Sequence, residues 1–246
     1  GFYRHILPPE ELNFDEILPS FDSSYNNPTR KAGGSLLNII ATNNPLVIGG
    51  SADLASSTMA IGVDGDFSSQ NRLGRHINFG VREHAMAAIS NGLAIHKLRP
   101  FCSTFFAFVD YLKPGIRMAG LSKLPTVFIF SHDSIAVGED GPTHHPIEQL
   151  TMIRSIPNVD VIRPADANET KEAYKSVEKN ATKQLLSMLP EDLLPSYDSL
   201  FKKKAEDKEL WKLVKAADKI SGYLKCVEER KAGNSEFCEA EEKLLK

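Results

Sequence analysis

Short apolar runs, each ended by small or polar residues and separated by helical stretches, do most to limit what this chain can fold into. Pro45-Leu46-Val47-Ile48 is closed by Gly49-Gly50, and Pro100-Phe101-Cys102-Ser103-Thr104 reads as another strand. Thr126-Val127-Phe128-Ile129-Phe130 is the clearest buried strand, and Val159-Asp160-Val161-Ile162 stops at Pro164. Helical patterns fill the spaces between. One is opened by Arg30 and Lys31 and carries Leu36, Leu37, Ile39 and Ile40; others cover residues 83–96, the aromatic-rich 105–111, and 146–155. Helix alternating with strand argues for an α/β fold, a parallel sheet flanked by helices.

From about residue 169 the character changes and no strand pattern remains. Residues 172–189 read as a helix, 190–209 as a Pro-flanked charged helix with loops, and 210–231 as a long amphipathic helix closed by Ala232-Gly233-Asn234. Residues 1–29, rich in Pro, Asn, Asp and Ser, suggest an extended arm laid over a neighbouring surface. The expected organisation is an arm over 1–29, an α/β domain over 30–170 and an all-helical segment over 171–246.

At 246 residues the chain is long enough to bury a real core. A formal charge of −3 gives no basic excess for nucleic acid, so any phosphate is met by local groups. No apolar run approaches the ~20 residues of a membrane span. Cys102, Cys226 and Cys238 are too few and too scattered for a disulfide framework or a zinc knuckle, and read as structural thiols of a cytoplasmic protein. The start Gly1-Phe2-Tyr3, without a methionine or a leader, reads as an internal piece of something longer.

The chemistry concentrates in loops. Arg75-His76-Ile77-Asn78-Phe79-Gly80-Val81-Arg82-Glu83-His84-Ala85-Met86 reads as a strand end, a glycine turn and a helix start carrying an acid. Spacing alone makes Glu83 a favourable first-turn charge on the helix dipole, or an acid placed to grip a ligand nitrogen. Ser51-Ala52-Asp53-Leu54-Ala55-Ser56-Ser57 and Ser131-His132-Asp133-Ser134 follow strands, where parallel sheets meet ligands. Gly138-Glu139-Asp140-Gly141-Pro142-Thr143-His144-His145 crowds acids and imidazoles into one loop. Phe105, Phe108 and Tyr111 form a stripe, which spacing alone assigns to core packing or to stacking on a ring.

Gly49-Gly50-Ser51-Ala52-Asp53-Leu54-Ala55, the Phe79–Met86 stretch, Ser131-His132-Asp133-Ser134, the 138–144 loop and Ile162-Arg163-Pro164-Ala165-Asp166, in this order, resemble the pyrimidine-binding domain of transketolase. The likeness runs from about residue 29 to 170, and the preceding arm is similar to the family's interdomain segment. It implies thiamine diphosphate chemistry, the transfer of a two-carbon ketol unit from a ketose phosphate to an aldose phosphate. Glu83 matches the acid that hydrogen-bonds the aminopyrimidine ring, which lets that ring take the thiazolium C2 proton. Phe105, Phe108 and Tyr111 match aromatics around the pyrimidine, and Asp53 a cofactor-pocket acid. Arg30, Ser57 and His132 match positions that receive the sugar phosphate, and Asp140 and His144 those that hold substrate hydroxyls. Glu83, His132 and His144 are the catalytic candidates. The resemblance further implies a homodimer, and a Mg2+ or Ca2+ ion held with the diphosphate by a separate preceding domain. A further family strand, carrying a phosphate-binding arginine, is not found after residue 170.

From about Tyr174, the stretches Leu189-Pro190-Glu191-Asp192-Leu193, Leu213-Val214-Lys215-Ala216-Ala217-Asp218-Lys219-Ile220 and Ala232-Gly233-Asn234-Ser235-Glu236-Phe237 resemble the latter half of HD-domain 5'-deoxynucleotidases. Those are metal-dependent phosphohydrolases of deoxynucleoside monophosphates. Asp218 matches their last metal-ligating aspartate, but one acid does not make a metal site. Two truncated families meeting near residues 170–174 read as an artificial join, since a natural fusion would keep both catalytic sets.

Overall fold

The computed structural model describes residues 13–134 and 137–187 and, singly, Ile220, Tyr223, Val227 and Lys231. The chain divides into two compact units, Leu12–Pro190 and one made of Gly1–Glu11 with Glu191–Lys246. In the second unit the four described positions are all helical and fall on the helix expected over 210–231 or at its end. The elements expected over 190–209 and at Gly233 lie outside the described residues.

The first unit is built on a parallel sheet of four strands, β1 (Val47–Ser51), β2 (His76–Asn78), β3 (Arg99–Phe105) and β4 (Val127–Ser131), in the order β2-β1-β3-β4. Gly49 pairs with His76 and Phe101, and Phe105 pairs with Ser131. Helices α1 (Phe14–Ile17), α2 (Thr29–Asn43), α3 (Ala55–Thr58), α4 (Glu83–Ile95), α5 (Val109–Leu121), α6 (Gln149–Arg154) and α7 (Ala167–Ser187) complete it. Alternate residues of β4 serve opposite faces, as the two-residue period requires. Phe128 and Phe130 pack on a core with Met86, Leu112 and Ile153, whereas Val127 and Ile129 pack on one with Phe14, Leu36 and Ile40.

Local chemistry sets the element ends. Helices α4 and α5 close through left-handed residues, Lys97 at φ 66° and Lys123 at φ 50°. Leu98 N–H then bonds Leu93 C=O, and Leu124 N–H bonds Ala119 C=O, so orphan carbonyls are satisfied. Helix α7 starts with a reciprocal cap. Glu169 N–H donates to Asp166 Oδ1 at 2.8 Å, and Glu169 Oε2 accepts from Ala165 N–H at 2.7 Å. The helix runs unbroken across residue 170.

Arg75 binds three segments together. Its Nη1 donates to the carbonyls of Ala41, Asn44 and Val47, and its Nε lies 2.7 Å from Asp64 Oδ2. One guanidinium thus joins the end of α2, the start of β1 and the loop before β2.

Three expectations are corrected. Residues 159–162 form no strand; Val159 and Val161 do pack on the core, but the segment is not part of the sheet. Residues 127–130 do form a strand, but all four are half-buried, with no strand beyond β4 among the described residues. The arm is not simply extended, because from Asn13 it makes a helical turn and inserts Phe14 and Leu18 into the core.

Candidate functional site

All four strands run the same way, so the loops after β1, β2, β3 and β4 gather along one rim of the sheet, where such folds meet ligands. After β2 the chain turns at Gly80, whose φ of 68° suits glycine. A Cβ there would collide with the Arg82 guanidinium, which donates to Phe79 C=O at 2.9 Å. This turn delivers Glu83 to the first position of α4. Its side chain is buried, at 8 % exposure, and the hydrogen bond described for its carboxylate comes from Thr104 Oγ1 at 3.4 Å. A carboxylate withdrawn from water and so loosely held retains capacity to accept a further bond.

After β3 the chain makes a 3-10 turn over Phe106–Phe108 before α5 begins. Phe105 and Phe108 stack with centroids 5.9 Å apart and planes at 17°. His132 lies over Phe105 at 3.8 Å, and His144 meets Phe108 edge-on at 5.0 Å and Phe105 at 6.0 Å. Tyr111 extends the series from Phe108 at 6.1 Å, but is 63 % exposed and sits at the outer end of the group.

His132 follows β4 at φ 55°, a left-handed conformation that turns its ring back over Phe105. Ser131 Oγ lies 3.0 Å from Nδ1 and Arg30 Nη1 lies 3.2 Å from Nε2. A guanidinium has no acceptor, so Nε2 must accept and Nδ1 carries the proton, donating to Ser131. Burial holds the imidazole below its ordinary proton affinity. The Arg30 charge adds to this, while Asp140 pulls the other way. Arg30 Nε is itself buried without a partner among the described residues, so this guanidinium keeps an unused donor.

The structure therefore brings Arg30, Phe105, Phe108, Tyr111, His132 and His144 into one group, with Asp140 in electrostatic reach of His132. Asp53, exposed and at φ 63°, and half-buried Ser57 lie beyond β1 on the same rim, without a described contact to that group. Asp218 lies outside the described residues. No group of three or more metal-binding side chains occurs among the described residues. Cys102, expected as a structural thiol, is a free cysteine and buried, and desolvation pushes its pKa up to about 12. No helix is long and apolar enough to cross a membrane among the described residues.

Sequence reading missed Thr104, Ser131 and the Arg163–Asp133 ion pair at 2.9 Å. Ser131 lay in plain view beside His132. Thr104 reaches Glu83 only because β3 runs beside the α4 start, a proximity that no local pattern encodes.

Comparison with known proteins shows which families the chain resembles. The family described as "Transketolase, pyrimidine binding domain" matches residues 27–196, and that described as "5'-deoxynucleotidase YfbR-like" matches 163–246. Transketolase 10 of Craterostigma plantagineum is 47 % identical over 188 residues, 75 % of this chain and 28 % of its own length. The Bacillus subtilis transketolase is 45 % identical over 188 residues, 76 % of this chain and 28 % of its own. A Pichia stipitis transketolase solved with sedoheptulose 7-phosphate superposes with a TM-score of 0.65 at 42 % identity, over 68 % of this chain and 26 % of that one. The Campylobacter jejuni enzyme gives 0.62 at 46 % identity, over 67 % and 26 %. The chain thus spans little more than a quarter of the length of these relatives.

Proposed function

The chain belongs to the transketolase family through its pyrimidine-binding domain, and from that premise we propose that it supplies the pyrimidine side of a thiamine diphosphate site in a transferase of two-carbon ketol units between sugar phosphates. The observation that carries this reading is buried Glu83, a helix-start carboxylate with one long hydrogen bond. Such a group is costly to bury unless a strong donor completes it, and a protonated pyrimidine nitrogen is one. Thiamine diphosphate, when bound, supplies the acidic carbon on which ketol transfer depends. Glu83 holds the proton at the ring nitrogen, Phe105 and Phe108 offer apolar faces to the ring, Tyr111 closes its outer side, and Asp53 serves the same pocket.

Arg30 and His132 face the sugar phosphate. The unused Nε of Arg30 fits an anion, and neutral His132 offers no competing charge. Ser57 assists at the phosphate, and Asp140 and His144 bind hydroxyls. His132 and His144 stand where protons on the transferred unit are handled. We assign the diphosphate and its Mg2+ or Ca2+ to a separate domain and the working form to a cytoplasmic homodimer. By ancestry we divide the chain into the arm 1–29, the transketolase part 30–170 and the helical part 171–246. Thermal melting with thiamine diphosphate and magnesium tests the reading. A dose-dependent rise in Tm that Glu83→Gln removes supports it, and no rise in the parent chain counts against it.

The match over residues 163–246 favours a second reading for the helical part, a fragment of a metal-dependent 5'-deoxynucleotidase in which Asp218 is a metal ligand. Stabilisation by a deoxynucleoside monophosphate with a divalent metal, lost in Asp218→Asn, distinguishes it.

A further inference from the structure

At His132 backbone strain and site geometry meet. Its φ of 55° lies in the left-handed region, which a residue other than glycine keeps only where its surroundings hold it there. The strand before it supplies one anchor, since Ser131 pairs with Phe105. A second anchor grips the residue that follows. Arg163 Nε donates to Asp133 Oδ2 at 2.9 Å, and Arg163 Nη2 reaches Asp133 C=O at 3.5 Å. Both donors lie on one edge of a planar guanidinium, so the carboxylate and the carbonyl of Asp133 are fixed together.

Arg163 is itself firmly placed. Val159 and Val161, just before it, pack on the core, and Pro164 confines it to extended backbone. Ala165 and Asp166 then enter the cap of α7. A fixed segment thus presents the guanidinium fork to the turn. As a source of stability the pair is poor, because its side chains are 47 % and 44 % exposed and ion pairs in water contribute little. Its effect lies in what it orients. The turn lays the His132 ring over Phe105 with centroids 3.8 Å apart, and brings Nε2 within 3.2 Å of Arg30 Nη1.

We infer that Arg163 is a positioning residue, which through Asp133 holds His132 in the turned conformation that stacks its ring on Phe105 and presents Nε2 to Arg30. This deepens the proposed function and rests on the place given there to His132 beside the sugar phosphate. Arg163 needs no contact with substrate for it.

The test is NMR of the histidine side chains in the full chain, with His132 assigned through His132→Gln. No ligand is added, so the outcome does not depend on whether thiamine diphosphate or a sugar phosphate binds. In the parent, ring protons of His132 lying over Phe105 should be shifted upfield, and the imidazole should titrate below 6.5 as the Nδ1–H form. In both Arg163→Ala and Asp133→Ala that upfield shift should largely vanish, with Tm nearly unchanged. Charge alone would drive the two variants apart, since loss of the Arg163 cation can only raise the proton affinity of His132 and loss of the Asp133 anion lowers it. Release of the ring raises it in both. Burial and the Arg30 charge outweigh Asp133 in their hold on His132, and Asp140 and His144 are the other charged or titratable groups acting on it. Arg163→Lys, which keeps the charge but not the fork, should recover only part of the upfield shift. Titrations that move in opposite directions in the two alanine variants, or ring shifts equal to the parent's in both, overturn the inference and leave a surface ion pair.

Discussion

Arg30 and His132, from the start of α2 and the end of β4, meet through a hydrogen bond of 3.2 Å in which the guanidinium donates to Nε2. This fixes the imidazole as the neutral Nδ1–H tautomer, and protonation would break the bond and place two cations together. The folded protein therefore binds this proton less readily than the unfolded chain does. Stability should be full above the ordinary histidine value of 6.5 and fall as pH drops below it, because the unfolded state then takes up the proton first. Urea melts at pH 7.5 and 5.5 measure this, and His132→Gln should reduce the difference. An unchanged pH dependence in the variant would contradict the assigned proton.

Glu83→Gln keeps the size and the acceptor for Thr104 but removes the charge. The fold should be retained, since a buried carboxylate is replaced by a neutral amide. Affinity for thiamine diphosphate should fall by about 1.5–3 kcal/mol, the range for a hydrogen bond involving a charged group, or roughly ten- to a hundredfold. Calorimetric titration showing equal affinity in both proteins would remove Glu83 from the cofactor site.

Arg75→Ala should be among the most damaging single changes outside the site. It leaves the carbonyls of Ala41, Asn44 and Val47 without their shared donor and Asp64 without its partner. A loss of about 3 kcal/mol or more is expected in urea unfolding, with an unchanged m-value. A loss below about 1 kcal/mol would show that water replaces the guanidinium.

The chain assayed alone, with a ketose phosphate donor, an aldose phosphate acceptor, thiamine diphosphate and magnesium, should show no ketol transfer above background. The residues proposed here hold the pyrimidine side only. Ordinary transketolase turnover with no added subunit would refute the half-site reading.

Much of the fold was legible because strands and helices announce themselves locally. The apolar run at 126–130 and the Arg30 helix start fall where expected, within a residue or two. Residues 159–162 show the limit. Their side chains alternate as a strand's do, but a strand needs a neighbour, and pairing is not written into the segment itself. Tyr111 shows another. The spacing of three from Phe105 to Phe108 belongs to a 3-10 turn, so carrying the stripe on to Tyr111 leads to an exposed ring. Of the candidate site, Glu83, Arg30 and His132 could be named by family resemblance; the support from Thr104 could not, because a hydrogen bond from a neighbouring strand end carries no sequence spacing, whereas Ser131 adjoins His132 in the sequence but only the structure shows their hydrogen bond.

The left-handed closures of α4 and α5 at Lys97 and Lys123 lie where β3 and β4 begin, on the side of the sheet away from Glu83 and His132. A lysine held in that conformation costs on the order of 1 kcal/mol against glycine, less the extra entropy that glycine brings to the unfolded chain. Durability and chemistry are thereby assigned to opposite ends of the strands. An engineer could tune the melting point at one end without entering the other, and random mutagenesis of these two positions should yield altered heat tolerance with unaltered ligand preference.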